Sequence, residues 1–413
     1  MDPVESQSHV AVAAPLQLEH PALTRYRLRN RRAMRIYAAV IALLIVLGFV
    51  AVRIAYAHGD LNKVSSTVAT APAPIPVTQT ASRLTASWGS ADHPAVGSPY
   101  SDGIVVTWAG HTVTGRDAVT GAPRWHYTRS NVSLCSVDQQ DRSTIAIYRR
   151  NGNCDQVTGF ETVTGKPKWY RTLTDNGSVS VSSAPNVVLI VSSTSVHVID
   201  NAGGLDRWQW WAPAGCTVGR ALGGSSGVLI SYSCPGEHRL MLRDLVGDSQ
   251  KWTVVTDQLL VPVSAGVALN AVDPKTLMMT TYSAAKGAVV RTDTLPSSAT
   301  SAGLAALPAS QTVVQGSDAR NRQFEFVDLG KLMCLQAVGP PVRWAVDASG
   351  QPSLVGATTV ATVSGSSVAL HDFDTGRITT TVELNSTPPG DSRAFAVGAG
   401  LLLAGSSVQM YAS

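Results

Sequence analysis

The chain has 413 residues, 44% hydrophobic and only 15% charged, which is enough apolar content to bury a large core and too much for a disordered chain. Its net charge of +4 lies wholly in residues 1–58, where Arg25, Arg27, Arg29, Arg31, Arg32, Arg35 and Arg53 outnumber Asp2, Glu5 and Glu19, and the remainder sums to zero. A neutral main region without a basic stripe excludes nucleic-acid binding, whose affinity rests on phosphate contacts.

Residues 1–35 form a basic tail. From Ile36 to Val52 runs the uncharged stretch IYAAVIALLIVLGFVAV, extended past Arg53 to Ala57. At 1.5 Å per residue the uncharged part alone spans about 26 Å, close to the hydrocarbon thickness of a bilayer, and Arg53 can snorkel. Residues 36–57 therefore predict a single transmembrane helix. Arginines cluster before the stretch and not after it, so the positive-inside rule keeps the tail cytoplasmic and exports everything beyond His58. Ala55-Tyr56-Ala57 has the form of a signal-peptide cleavage site, but the long segment before the apolar run favours a retained anchor. Residues 58–82, rich in Pro, Ala, Thr and Ser with no apolar period, predict an extended spacer.

From residue 83 onward one pattern recurs. VTGRDAVTGAPRWHY around Asp117 and VTGFETVTGKPKWYR around Glu161 are near copies, with Gly121 and Gly165 four residues after the acidic position and Trp125 and Trp169 eight after it. The series continues at Asp200 with Trp208, Asp244 with Trp252, Ser283, Asp328 and Asp372, at intervals of 39 to 45 residues. Ala412 takes the acidic slot of an incomplete copy, whose missing strand stands at Arg83 to Trp88.

Each copy predicts four short antiparallel strands, as in Val132–Val137, Ser143–Tyr148, Gln156–Glu161 and Lys168–Leu173, separated by turn-forming residues. The Asp-x-x-Thr-Gly element suits a tight hairpin, and the Trp that follows is free to dock on a neighbouring sheet. Such sheets bury both faces only by stacking in a ring. The expected fold is all-β, a β-propeller of eight four-stranded blades over residues 83–413, or seven if Ser283 is not a true copy. A strand from residues 84–88 would complete the last blade and leave no open edge.

Asp117-x-x-Thr120-Gly121-x-x-x-Trp125 and Thr164-Gly165-Lys166-Pro167-Lys168-Trp169 resemble the repeats named for pyrroloquinoline quinone enzymes. These are shared by quinoprotein alcohol dehydrogenases and by the lipoprotein propeller of the outer-membrane assembly machine. The resemblance covers residues 84–413 and specifies fold rather than activity. With the N-terminal anchor, and with 25 Arg against 7 Lys suggesting GC-rich coding, the layout also resembles membrane-anchored periplasmic propellers of mycolate-making actinobacteria. That resemblance implies envelope growth and transport of trehalose monomycolate, beside an inner-membrane lipid exporter or other envelope proteins, with a glycolipid as ligand.

The five cysteines all lie on the side expected to be exported, where disulfides persist. Cys135 and Cys154 precede Glu161 much as Cys216 and Cys234 precede Asp244, one on the first strand and one near the end of the second, which suits a bond within each blade. A metal site is the alternative, but no CxxC occurs and no His shares the spacing. Cys334 is left as a buried thiol.

Little else points to chemistry. A quinone enzyme's pattern implies adjacent cysteines, a calcium site and a catalytic Asp near the ring axis, and no two Cys are adjacent here, so no cofactor is expected. Gly223-Gly224-Ser225-Ser226-Gly227 matches the nucleophile-elbow string but joins two strands instead of a strand and a helix. The sequons at Asn131, Asn176 and Asn385 carry no argument. Trp210 and Trp211 follow the docking position Trp208. By alternation one of them should leave its sheet and offer an anchor for a protein or an acyl chain, packing between blades being the alternative. The expectation is a non-catalytic, membrane-anchored periplasmic platform; a quinoprotein dehydrogenase or a propeller lyase using the central funnel is the alternative.

Overall fold

The computed structural model describes residues 21–58, 63–73, 75–140, 142–174, 179–266, 269–295, 314–317, 323–328, 331–336, 342–348, 350–356 and 358–413. The tail before residue 21, residues 59–62 and 74 of the expected spacer, and the sequon Asn176 lie outside them. Residues 1–63 and 64–413 are separate compact units. In the first, Pro21–His58 is a single helix, so the second half of the basic tail is helical as well. Its stretch Ile36–Arg53 is long and apolar enough to cross a membrane, and none of it is buried.

The second unit is built from antiparallel four-strand meanders. They span residues 93–129, 133–172, 180–211, 217–256, 261–294, 314–346 and 353–384, then 393–412 joined by the early strand Arg83–Ser90. That strand pairs antiparallel with Val408–Ala412, from Thr85 opposite Ala412 to Ser90 opposite Val408, and meets Ile378–Leu384 in parallel at Arg83 and Leu84.

Burial grades across each sheet. Second strands such as Val187–Val191 and Gly400–Ala404 are wholly buried, whereas the fourth strand Val289–Thr294 is mostly exposed. First strands lie against first strands of the next meander, as Ser133–Gln140 does with Ser180–Ala184 and that strand with Thr217–Gly224. First strands thus line an axis and fourth strands form a rim. An apolar cluster fills the space between each meander and the next. Val106, Tyr148 and Phe160 begin the series, and Val105, Leu402, Val408 and Met410 return it from the last meander to the first. A ring of radially stacked sheets that closes on itself in this way is a β-propeller.

Tryptophans bolt the sheets together. Trp125 Nε1 donates to the Thr162 carbonyl of the next meander at 2.9 Å, Trp169 to Asn201 at 3.1 Å, Trp208 to Asp244 at 3.0 Å and Trp252 to Ala284 at 3.1 Å. Trp88 on the closing strand does the same to Ala118 at 3.1 Å. The ring of Trp125 lies over Gly165 and that of Trp169 over Gly204, two positions with φ of +71° and +66° where a Cβ would enter the indole. Glycine is needed there for both the backbone and the space.

Three expectations need correction. Asp328 is not the marker of its copy: it ends a second strand, Gln323–Asp328, opposite Leu332. The third strand is Leu332–Gln336, and Trp344, eight residues after Gln336, stands opposite Cys334 and donates to the Phe373 carbonyl at 3.1 Å. The slot belongs to Gln336, which has no acidic side chain to reveal it. Ser283, by contrast, forms the expected hairpin, with Gly287 N–H donating to its carbonyl at 2.9 Å.

Secondly, residues 64–82 are not a free spacer. Strand Val64–Thr67 adds to the outer edge of Pro123–Arg129, Val64 opposite Arg129 through Thr67 opposite His126. The chain then crosses the sheet ends: Ala69 N–H donates to the Thr164 carbonyl at 2.9 Å, Arg124 to Thr70 at 3.1 Å and Thr78 N–H to Gly398 at 3.0 Å. The tract docks through these backbone bonds and through single apolar side chains, Val64, Ala69, Ile75 and Ala81, whose irregular spacing gives no periodic signal. Thirdly, Cys154 begins the third strand, Asn153–Glu161, rather than ending the second. Bulges at Ile147/Tyr148 and Tyr148/Arg149 distort the strand between Cys135 and Cys154 and bring the two together.

Candidate interaction surface

The meanders define two ends. At one lie the hairpins after Asp117, Glu161, Asp200, Asp244 and Asp372, together with the first-to-second strand turns and the docked segment 64–82. At the other lie the second-to-third turns and the connections between meanders. Both disulfides, Cys135–Cys154 and Cys216–Cys234, belong to this second end, because each joins the start of a first strand to a second-to-third turn. The Gly223-to-Gly227 string is a plain hairpin, Gly224 opposite Gly227, which removes the nucleophile-elbow geometry.

Trp208, Trp210 and Trp211 share the rim strand Asp206–Trp211, and the pleat separates them. Trp208 is buried with Arg243 over its ring at 5.1 Å. Trp210 packs between two meanders, edge-on to Tyr232 with centroids 5.1 Å apart. Trp211 emerges on the opposite face with 45% of its surface exposed, its ring set edge-on to the buried His197 at 5.9 Å. Of the two candidates, one is thus a packing residue and the other presents a held, outward indole beside the Ala212–Pro213 connection.

The axis is polar and partly filled. Val96 and Gly97, from the broken first strand of the first meander, pair in parallel with Asp138 and Gln139 and cover that axis-facing edge. Asp138 and Arg393 are buried nearby; burial holds the Arg393 guanidinium down to about 10, against the opposing pull of the Asp138 carboxylate. Burial also pushes the Cys334 thiol up to about 12, so it is a packed thiol and a poor nucleophile. Asp200 differs: backbone N–H groups of Gly203 and Ala202, with Arg207, hold its carboxyl below the ordinary aspartate value. These shifts serve turns and packing and assemble no acid–base pair.

The residues of the quinone pattern are not assembled among the described residues. Its adjacent-cysteine bond is not available, since the two bonds join residues 19 and 18 apart, and no group of three His, Cys, Asp or Glu able to hold a metal occurs among the described residues. The residues present do not fit that cofactor, and no chemistry is derived through it.

Two features were missed from sequence. One is Trp344, which counting from tryptophans instead of acids would have found. The other is a cavity of about 540 Å³ between segment Val77–Ser82 and the 353–384 meander, floored by Leu370 and Thr380.

Fold and site together define a β-propeller with tryptophan-docked repeats, two disulfides and an apolar N-terminal helix. No family model matches the chain, and no curated protein matches it. Among solved structures it is similar to BamB from Moraxella catarrhalis, with 13% identity, TM-score 0.44, and coverage of 80% of this chain and 100% of that one. It is also similar to the computationally designed Ika8 protein, with 11% identity, TM-score 0.52, and coverage of 81% and 100%. A quinohemoprotein alcohol dehydrogenase from Comamonas testosteroni follows at 10% identity, TM-score 0.46, and coverage of 79% and 76%. At such identities likeness bears on fold alone.

Proposed function

We propose that this chain is a non-catalytic platform in cell-envelope assembly, an eight-bladed propeller carried on the exported side of the inner membrane by a single-pass helix over residues 36–57. The count of eight rests on the meanders and on the clusters between them, with the last blade shared between residues 83–90 and 393–412. The orientation rests on the arginines ahead of the helix and on two disulfides beyond it. The partner is an envelope protein or a lipid. The finer role, growth and trafficking of trehalose monomycolate beside a lipid exporter, rests on the resemblance of layout alone.

The observation that carries the reading is Trp211, a large indole held outward on a rigid rim while its neighbours are consumed in packing. The test is native mass spectrometry of the full chain, purified from its own envelope, beside Trp211→Ala. Exposed as it is, the substitution should leave stability within about 0.5 kcal/mol and abolish co-purification of the bound glycolipid or protein. Co-purification that survives the substitution would remove Trp211 from the contact. Reduction of an electron acceptor with added quinone and calcium would overturn the platform.

A further inference from the structure

We infer that the seam beside the 353–384 meander holds a site for an aromatic side chain presented by a partner protein. The observation is that two slots of a series of seated indoles lack one, and that one of the two adjoins a cavity. The residue eight after each marker stands opposite the residue two before it: Gly115 faces Trp125, Gly159 Trp169, Val198 Trp208, Leu242 Trp252 and Cys334 Trp344, and on the closing strand Trp88 takes the same place opposite Met410. Each of these indoles reaches across to a carbonyl of the next meander. In the 353–384 meander the same register pairs Leu370 with Thr380, and no indole is supplied.

The space remains. The cavity of about 540 Å³ contains both members of that pair, with Val355 and Thr359 on the sheet side and residues Val77–Ser82 of the docked segment as the facing wall. Its volume falls within the roughly 300–1,000 Å³ of ligand sites. That exceeds what one ring fills and leaves room for flanking backbone. Leucine opposite the slot is no obstacle, because Leu242 already faces Trp252. Among the described residues no charged side chain lines the cavity, while hydroxyls of Thr78, Thr80, Ser82, Thr359 and Thr379 edge it, so the occupant is neutral, apolar at its centre and able to exchange hydrogen bonds at its margin. An indole with its peptide backbone has this chemistry, and the fold seats that group at the same register six times. The other slot without an indole, Arg291 opposite Thr281, carries an exposed cation paired with Asp293 at 2.6 Å and so offers no neutral seat.

The experiment keeps the full chain in lipid nanodiscs and uses N-acetyltryptophanamide bearing a photoreactive diazirine, with adducts mapped by mass spectrometry. Labelling is expected on peptides containing residues 77–82 and 379–380, competed by plain N-acetyltryptophanamide. Thr380→Trp fills the slot from within; it should raise Tm and cut labelling about tenfold. If that variant does not fold, Thr380→Phe gives the same reading. Labelling confined to other regions, or unchanged in the filled variant, overturns the site. A fatty-acyl diazirine probe that labels these peptides where the tryptophan probe does not overturns the protein occupant in favour of lipid. Trp211→Ala should leave the labelling unchanged, so this site and the rim contact fail separately.

Discussion

Asp200 shows how much one side chain does in this fold. Its Oδ1 accepts from the N–H groups of Ala202 at 2.9 Å and Gly203 at 2.8 Å, and its other oxygen pairs with Arg207. The turn so formed sets Gly204 beneath Trp169, so a carboxylate on one meander positions the seat for an indole from another. Because the folded carboxyl titrates below its unfolded value, its stabilisation is present above about pH 4 and is lost as pH falls through the folded pKa. Asp200→Asn retains a turn-forming acceptor and removes the charge. We expect a deficit of about 0.5–1 kcal/mol at pH 6, given the partly exposed ion pair, closing as the pH of urea titrations falls through the folded pKa. A deficit that persists in acid would assign the effect to the turn alone. At this scale the sequence was highly legible wherever acid, glycine and tryptophan coincide, and misleading at Asp328, where an acidic residue ends the wrong strand and Gln336 holds the true slot.

Elements tell a different story about legibility. The strands 133–140, 143–150, 153–161 and 167–172 follow the predicted runs closely, since alternation and turn residues report local preference. Segment 64–82 could not be read that way, because backbone hydrogen bonds and scattered apolar contacts to sheets far along the chain fix it. The vacated slot at Thr380 was equally hidden: an absent tryptophan is visible only once the register of the others is known. The disulfides lie between these extremes, with pairing legible from spacing and the strand of Cys154 not. Each closes a loop of 19 or 18 residues, for which loop entropy gives about 3 kcal/mol. Replacing Cys135 and Cys154 together by Ser should cost about that much in reversible urea unfolding, and a reducing agent should then cost this variant less than it costs the parent. An unchanged unfolding midpoint would show that the bulged sheet holds its shape without the bond.

The ring as a whole depends on one seam. Leu84, wholly buried, stands between the closing strand and the 353–384 meander, where it faces Leu384 and packs with Val382 and Tyr411. Leu84→Ala should cost about 2–5 kcal/mol. The loss should also be local: hydrogen exchange should quicken first in 408–412 and 378–384 while 187–191 keeps its protection. Uniform quickening would mean that the ring opens everywhere at once. The same seam sets an order of events. Thr85 finds its partner Ala412 only 327 residues later, so the strand Arg83–Ser90 must wait with both edges unpaired while the rest of the chain is made. During that interval its exposed edges can recruit the wrong strand, from this chain or another. A chaperone acting on this protein before the ring closes would find in residues 83–90 a long-lived client segment.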